Sequence, residues 1–269
     1  MKRIIKKESK PAAALILLAL IALAGVHAQS TVTAKTADSI MAEVFNRPQP
    51  RTLATELTMT LTDSRGRERS RQLKQISSSY QGVDKKIMEF LEPADVRGTA
   101  FMNWSYSESS RSDDQWIYLP ALQRVRRISS DGKGDSFMGS DFSYDDLGER
   151  HPDRDTHKII GTESVNNELC WIIESTPKAA GETYSKTISW ISQQRVMGVK
   201  REYYDRSGKL LKVLTVRESR DVEGYLMITQ TEMHNVQREH RTTMLFGKIT
   251  VDTEIPEETF TERTLTRGL

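Results

Sequence analysis

Two periodicities divide the chain. Between residues 36 and 48 the apolar side chains Ala37, Ile40, Met41, Val44 and Phe45 recur at i, i+3, i+4, i+7 and i+8, one stripe of a helix, with Thr36 or Asp38 placed to cap its first turn. Arg47-Pro48 ends the pattern, because a residue before proline is pushed out of the α region. From Thr55 onward the period is two. Residues 55–62 set Leu57, Met59 and Leu61 on one face and threonines on the other, as a half-buried strand requires. Segments of the same kind follow at 69–78, 86–91, 99–106, 115–119, 122–128, 158–162, 169–174, 186–191, 198–204, 210–217, 225–232 and 241–251. Turn sequences such as Gln81-Gly82, Asp205-Arg206-Ser207-Gly208 and Asp221-Val222-Glu223-Gly224 separate them.

Short strands that do not alternate with long helices predict one antiparallel meander, and no linker divides it. Most strands alternate polar and apolar positions, which predicts a sheet with one wet face. Residues 169–173 and 210–216 are apolar on both parities and predict cover on both sides. The N-terminal helix is the expected lid for one face.

Composition adds the compartment. The 269 residues carry 39 basic and 37 acidic side chains and are 37% hydrophobic, the balance of a globular chain. The first residues alter that balance: Lys2, Arg3, Lys6, Lys7 and Lys10 precede the apolar run 12–26. This run is shorter than the roughly 18 residues a spanning helix needs, and Val26-His27-Ala28 offers small residues at −3 and −1. The pattern predicts a secretory signal peptide over residues 1–28, cut after Ala28, and a single domain over 29–269. Its removal takes five basic residues and one acidic residue, leaving 34 against 36, a net −2. A general nucleic-acid role thereby loses its electrostatic basis. The one cysteine, Cys170, lies in an apolar strand and reads as a small core residue, so no intramolecular disulfide is available. No cysteine follows the cut, where an acylated one would sit, so the expected product is free in the periplasm of a Gram-negative cell.

The most distinctive chemistry lies between residues 116 and 147. Trp116, Ile117, Tyr118 and Leu119 are all apolar or amphipathic, and the next strand sets Arg124, Arg126 and Arg127 around Val125 and Ile128. One face would meet hydrocarbon and the other an anionic head group or an acidic partner, since arginine binds carboxylate and phosphate in a bidentate fork. A buried aromatic strand beside a solvated arginine strand reads the same way. Residues 130–136 lack the G-x-x-x-x-G-K-[ST] spacing of a nucleotide loop. They lead into Phe137, Met138 and Phe142 beside glycine, which form either a movable flap at a cavity entrance or aromatics tucked into the core. His151, Asp153, Asp155 and His157 are types that bind zinc, but Arg154 stands among them and a polar connecting loop is the better reading. No G-x-S-x-G elbow or H-E-x-x-H pattern occurs. No enzyme activity, metal or cofactor is therefore expected.

Residues 116–147 contain W-x-Y-L-P-A-L-x-R-V-R-R-I and then F-M-G-S-D-F-S-Y-x-D-L. In these motifs the chain resembles the periplasmic outer-membrane lipoprotein-sorting family, LolA-like carriers, in the branch associated with RND-type exporters. Glu92-Pro93, the run from Arg97 to Phe101, residues 188–191 and residues 202–208 extend the likeness over about residues 35 to 266. The resemblance implies a mainly β fold with a helical lid, a single curved antiparallel sheet forming an unclosed, half β-barrel of LolA/LolB type. It further implies a carrier that holds a lipid or acylated molecule, lipoproteins included, and moves it between membranes beside an inner-membrane RND-type transporter. On that reading the cavity lining is Phe101, Trp104, Trp116, Tyr118, Trp171 and Trp190, with Phe137, Met138 and Phe142 at the entrance. Arg124, Arg126 and Arg127 contact a head group or a partner. The alternatives are a periplasmic adaptor that holds no ligand, an outer-membrane barrel, for which residues 65–74 are too charged, and an enzyme acting on lipid or glycan.

Overall fold

The computed structural model describes residues 35–269; the expected signal peptide and its cut lie outside the described residues. The first element is helix α1 (Ala37–Phe45). Thr36, not Asp38, caps it, its hydroxyl accepting from the Ser39 amide at 3.1 Å. The strands follow as β1 (Thr52–Thr62), β2 (Glu68–Tyr80), β3 (Val83–Glu92), β4 (Ala100–Tyr106), β5 (Asp114–Leu119), β6 (Arg124–Arg127), β7 (Asp155–Val165), β8 (Glu168–Pro177), β9 (Lys186–Ser192), β10 (Met197–Tyr204), β11 (Leu210–Val222), β12 (Tyr225–Asn235) and β13 (His240–Val251). A short helix α2 (Glu262–Arg267) closes the chain.

All 13 strands form one antiparallel sheet, curved but not closed into a barrel, with β1 paired to β13 and the edges at β6 and β7. Each meander folds by local hairpins. Gln81-Gly82 and Glu223-Gly224 turn in two left-handed residues, the backbone that matches strand twist. The β6 edge is four residues long, and its three arginines are exposed, which blunts it against further pairing. The strand expected over 122–128 is shorter than its apolar residues suggested, because Pro120–Leu122 forms a 3-10 turn and Gln123 is left-handed.

Two sets of side chains cover the sheet. The face we call inner is covered by α1 and by residues 129–154, a run of 3-10 turns. The outer face is covered over β2–β5 by the C-terminal segment, where Phe260 and Leu265 pack on Ile76, Ile87 and Met102. Residues 169–173 are only partly covered on both sides. Trp171 and Ile173 lie under α1, Cys170 packs with Trp190 and Val199 on the outer face, and Leu169 at the strand start is exposed.

Candidate functional site: a graded inner face under an irregular lid

At the centre of the inner face Leu57, Met59, Leu73, Met88, Phe90 and Phe101 form a buried floor, continued by Met233 and Met244. Methionine is unbranched and polarisable, so such a floor adapts to an irregular apolar partner. Its present partner is the 129–154 segment, which inserts Phe137, Phe142 and Leu147. The Phe137 ring lies 5.6 Å from that of Phe90 and 5.5 Å from that of Phe101.

Polar contacts, not helical packing, hold this lid. Arg71 donates to the Met138 carbonyl at 2.6 Å, where left-handed Met138 and Gly139 reverse the chain. The Asp141 carboxylate accepts from the Thr242 hydroxyl and meets His240 Nδ1, each at 2.7 Å. Lys212 pairs with Asp146, both almost fully buried. Tyr184 donates to the other oxygen of Asp146 at 2.8 Å. Burial, then the Asp146 charge, holds the Tyr184 phenol well above its ordinary pKa; burial pushes Tyr203 up to about 12. Both phenols stay neutral beside the Lys212 ammonium, whose Nζ stands 5.1 and 5.3 Å from their rings.

Along β2–β5 the inner face changes character. On β4, Phe101 is followed at the next inward positions by Asn103 and Ser105; on β3, Phe90 and Met88 by Lys86; on β2, Leu73 by Gln75 and Ser77; on β5, Ile117 by Gln115. Apolar thus becomes polar over four residues, about 13 Å of strand. A chain of hydrogen bonds fixes the polar end. Gln115 Nε2 donates to Asn103 Oδ1 at 2.8 Å, Asn103 Nδ2 to Ser105 Oγ at 2.8 Å, and Ser105 Oγ to Asp113 at 2.7 Å. Lys86 Nζ donates to the Leu147 carbonyl at 2.5 Å.

Two cavities open there, one of about 610 Å³ over Gln75, Ser77, Lys86 and Asn103, and one of about 200 Å³ over Gln115, Arg201 and Tyr203. Val44, Phe45, Glu149 and Arg150 line both. Lys86 is half-buried and Glu149 exposed, and both stand on the wall of the larger cavity. Burial draws the Lys86 ammonium below its ordinary pKa, against the pull of Glu149 and Asp113. Desolvation, reinforced by Asp84, raises Glu149.

The residues expected to line one cavity fall on both faces. Phe101, Phe137 and Phe142 meet in the inner core, and Met138 is half-buried above them. Trp104, Trp116 and Tyr118 point outward, because they have the opposite strand parity, and pack beside the C-terminal segment. The two indoles meet edge to face at 5.2 Å, and Lys85 lies 4.4 Å over the Trp104 ring. Trp171 lies inward under α1. Trp190 is on the outer face, donating to Glu163 at 2.5 Å with Lys200 over its ring at 3.8 Å. Arg127 turns outward with Trp116 and pairs with Asp114, while Arg124 and Arg126 are on the other side of the edge strand. His157 is spent on Ser175 at 2.8 Å and the Pro152 carbonyl at 2.9 Å, a structural role in the connecting loop. Sequence reasoning missed Lys86, Asn103 and Gln115. Their signal is one polar residue at an inward position of each strand, legible only once the strands are in register.

A family model described as "Uncharacterized protein" matches residues 82–267. Among solved structures, a domain assigned to outer-membrane lipoprotein sorting from Vibrio parahaemolyticus superposes with a TM-score of 0.80 at 31% identity, covering 86% of this chain and 98% of that one. A DUF1329 family protein from Desulfovibrio piger gives 0.81 at 26% identity, over 85% and 97%. A LolA superfamily protein from Nitrosomonas europaea gives 0.67 at 19% identity, over 86% and 99%, a likeness of fold alone. No curated protein matches the chain by sequence.

Proposed function

The chain belongs to the outer-membrane lipoprotein-sorting family with a LolA-like fold, and from that premise we propose that it is a periplasmic carrier of a lipid or acylated molecule. The observation that carries the reading is the closure of a methionine-rich apolar floor by an irregular segment held through polar contacts. In the carrier, acyl chains replace Phe137 and Phe142 on Phe101 and its neighbours when the lid lifts. Each methylene transferred from water to this floor contributes about 0.8 kcal/mol, so a chain of ordinary length outweighs the aromatics it displaces. Among the described residues no helix is long and apolar enough to cross a membrane. The sequence resemblance extends the proposal to an RND-type exporter as partner, to which the exposed Arg124, Arg126 and Arg127 offer a basic edge.

The test is a lid clamp. Asp141 N lies 3.0 Å from Thr242 Oγ1, so an Asp141→Cys/Thr242→Cys pair is placed to close a disulfide, and the buried Cys170 is far from it in the sheet order. Native mass spectrometry with added C16 lysophospholipid should show uptake by the reduced variant and at least tenfold less by the oxidised one. Equal uptake by both would refute displacement of the lid. Running Trp116→Glu beside it decides whether the outer aromatic patch also holds acyl chains. The closed state of the floor favours the adaptor as second reading, and absence of any acyl ligand in the reduced protein would establish it over the carrier.

A further inference from the structure

The polar end of the inner face has no part in holding acyl chains, yet it contains the larger open volume. About 610 Å³ falls within the range of small-ligand sites, and its walls are not those of a hydrocarbon pocket. Ser77, Gln75, Asn103 and Lys86 face it from three adjacent strands. Beside it, Gln115 lines the second cavity. The Gln115 amide nitrogen is held by two acceptors, Asn103 Oδ1 and the Tyr144 carbonyl, both at 2.8 Å. That fixes which way the amide points. Its oxygen, Oε1, is buried and has no donor, a deficit that a ligand hydroxyl would fill.

Charge selects the ligand class. Arg150 is committed to Asp155, at 2.6 and 2.8 Å, and to Glu182 at 3.0 Å. Lys85, Arg154 and Lys186 are paired with Glu257, Glu182 and Glu174, and Asp146 with Lys212. The charges left around the chamber are Arg51, Lys86, Lys133 and Arg201 against Asp84, Asp113, Asp145 and Glu149, four of each sign, so neither an anionic nor a cationic head meets a net opposite charge. Two of the four carboxylates are moreover already engaged as acceptors, Asp84 by Ser79 and Asp113 by Ser105 and the Glu149 amide. What the walls supply is a mixture of hydroxyl, amide and amine donors and acceptors, with the half-buried Phe45 ring on the wall common to both cavities.

We propose that this chamber is the head-group site for an uncharged polyhydroxylated amphiphile, a sugar or polyol head whose acyl chain runs along β2–β5 onto the methionine floor. The assignment rests on the carrier reading above. The strand gradient matches such a molecule end to end, since polar and apolar ends are separated by about 13 Å.

Titration calorimetry on the full mature protein, below the micellar concentration of each probe, tests it with one C12 chain on different heads. Dodecyl maltoside should bind at least tenfold more tightly than dodecyl phosphate or dodecyltrimethylammonium, and maltose alone at least 100-fold more weakly. Gln115→Met and Phe45→Ala should each lower the ratio of dodecyl maltoside to dodecanol affinity at least fivefold. Phe45, at the end of α1, lies outside the hydrogen-bond chain, so its variant keeps the test open if Gln115→Met fails to fold. Equal or tighter binding of either charged probe, or of free maltose, would overturn the assignment. So would wild-type ratios in both folded variants. Dodecanol bound without preference for the sugar head would remove the head-group site and leave the carrier; no binding of any C12 probe would remove both.

Discussion

The same four strands, β2–β5, present hydrocarbon at one end of the inner face and hydrogen-bonding groups at the other. At the floor the stabilising contacts are non-directional, and methionines can shift to meet whatever lies on them. In the chamber every polar atom needs a partner in a fixed direction, and Gln115 Oε1 lacks one. A surface built to admit variable chains and one built to recognise a particular head are thus continuous, divided only by strand position. The lid is pinned where they meet, at Asp146 and Leu147.

The largest effect is expected at that pin. Asp146→Ala leaves the Lys212 ammonium buried without its counter-charge and should cost about 3–5 kcal/mol in urea unfolding. The apolar pair Lys212→Met with Asp146→Leu should recover most of it, since no charge is then left orphaned. Amide exchange over residues 129–154 should accelerate in the single variant before the sheet does. Uniform acceleration would mean that the lid and the sheet open as one unit.

Next comes the floor. Phe101→Ala removes a fully buried ring, a change that costs about 3–5 kcal/mol in ordinary cores. Here Met59, Met88 and Phe137 can close on the space, so about 3 kcal/mol is expected. A loss well above that would show the floor to be rigid and erase the contrast with the chamber. Ser105→Ala tests the other end. It leaves the Asn103 amide and one Asp113 oxygen each short of a partner, for a loss of about 1–2 kcal/mol.

How much of this could be read from the amino acids depends on the range of the signal. α1 was legible because five apolar residues mark one stripe and Arg47-Pro48 stops it. The strands were legible because their period is two and their turns carry Gly or Asn. α2 was not, since six residues with Leu265 as the sole large apolar member carry no period. The division of the aromatics was half legible. Phe101 and Trp104 are three apart on one strand and must face opposite ways, but that Trp116 pairs with Met102 and shares the Trp104 side needs the β4–β5 register. The chamber was hidden altogether, because Gln115 and Asn103 are twelve residues apart and Lys86 reaches them across a third strand. A lone serine or asparagine at an inward position is indistinguishable from a wet one until the neighbouring strands are aligned.

The smallest effect is the most diagnostic of the chamber. Burial holds the Lys86 pKa below its ordinary 10.5, so the folded protein binds that proton less tightly than the unfolded chain does. Its contribution to stability is therefore fully present above about pH 10.5 and is lost as pH falls through the lower folded value. Lys86→Met removes this dependence. It also removes the bond to the Leu147 carbonyl, a loss that does not depend on pH while the lysine is charged. The stability of Lys86→Met minus that of the wild type should then fall as pH is raised from 7 to 10, with other titrating groups cancelling in the difference. Urea unfolding at the two pH values reads it directly. A difference that stays constant would mean that Lys86 is solvated like a surface lysine, and the chamber would then be open water instead of a wall set to meet a ligand.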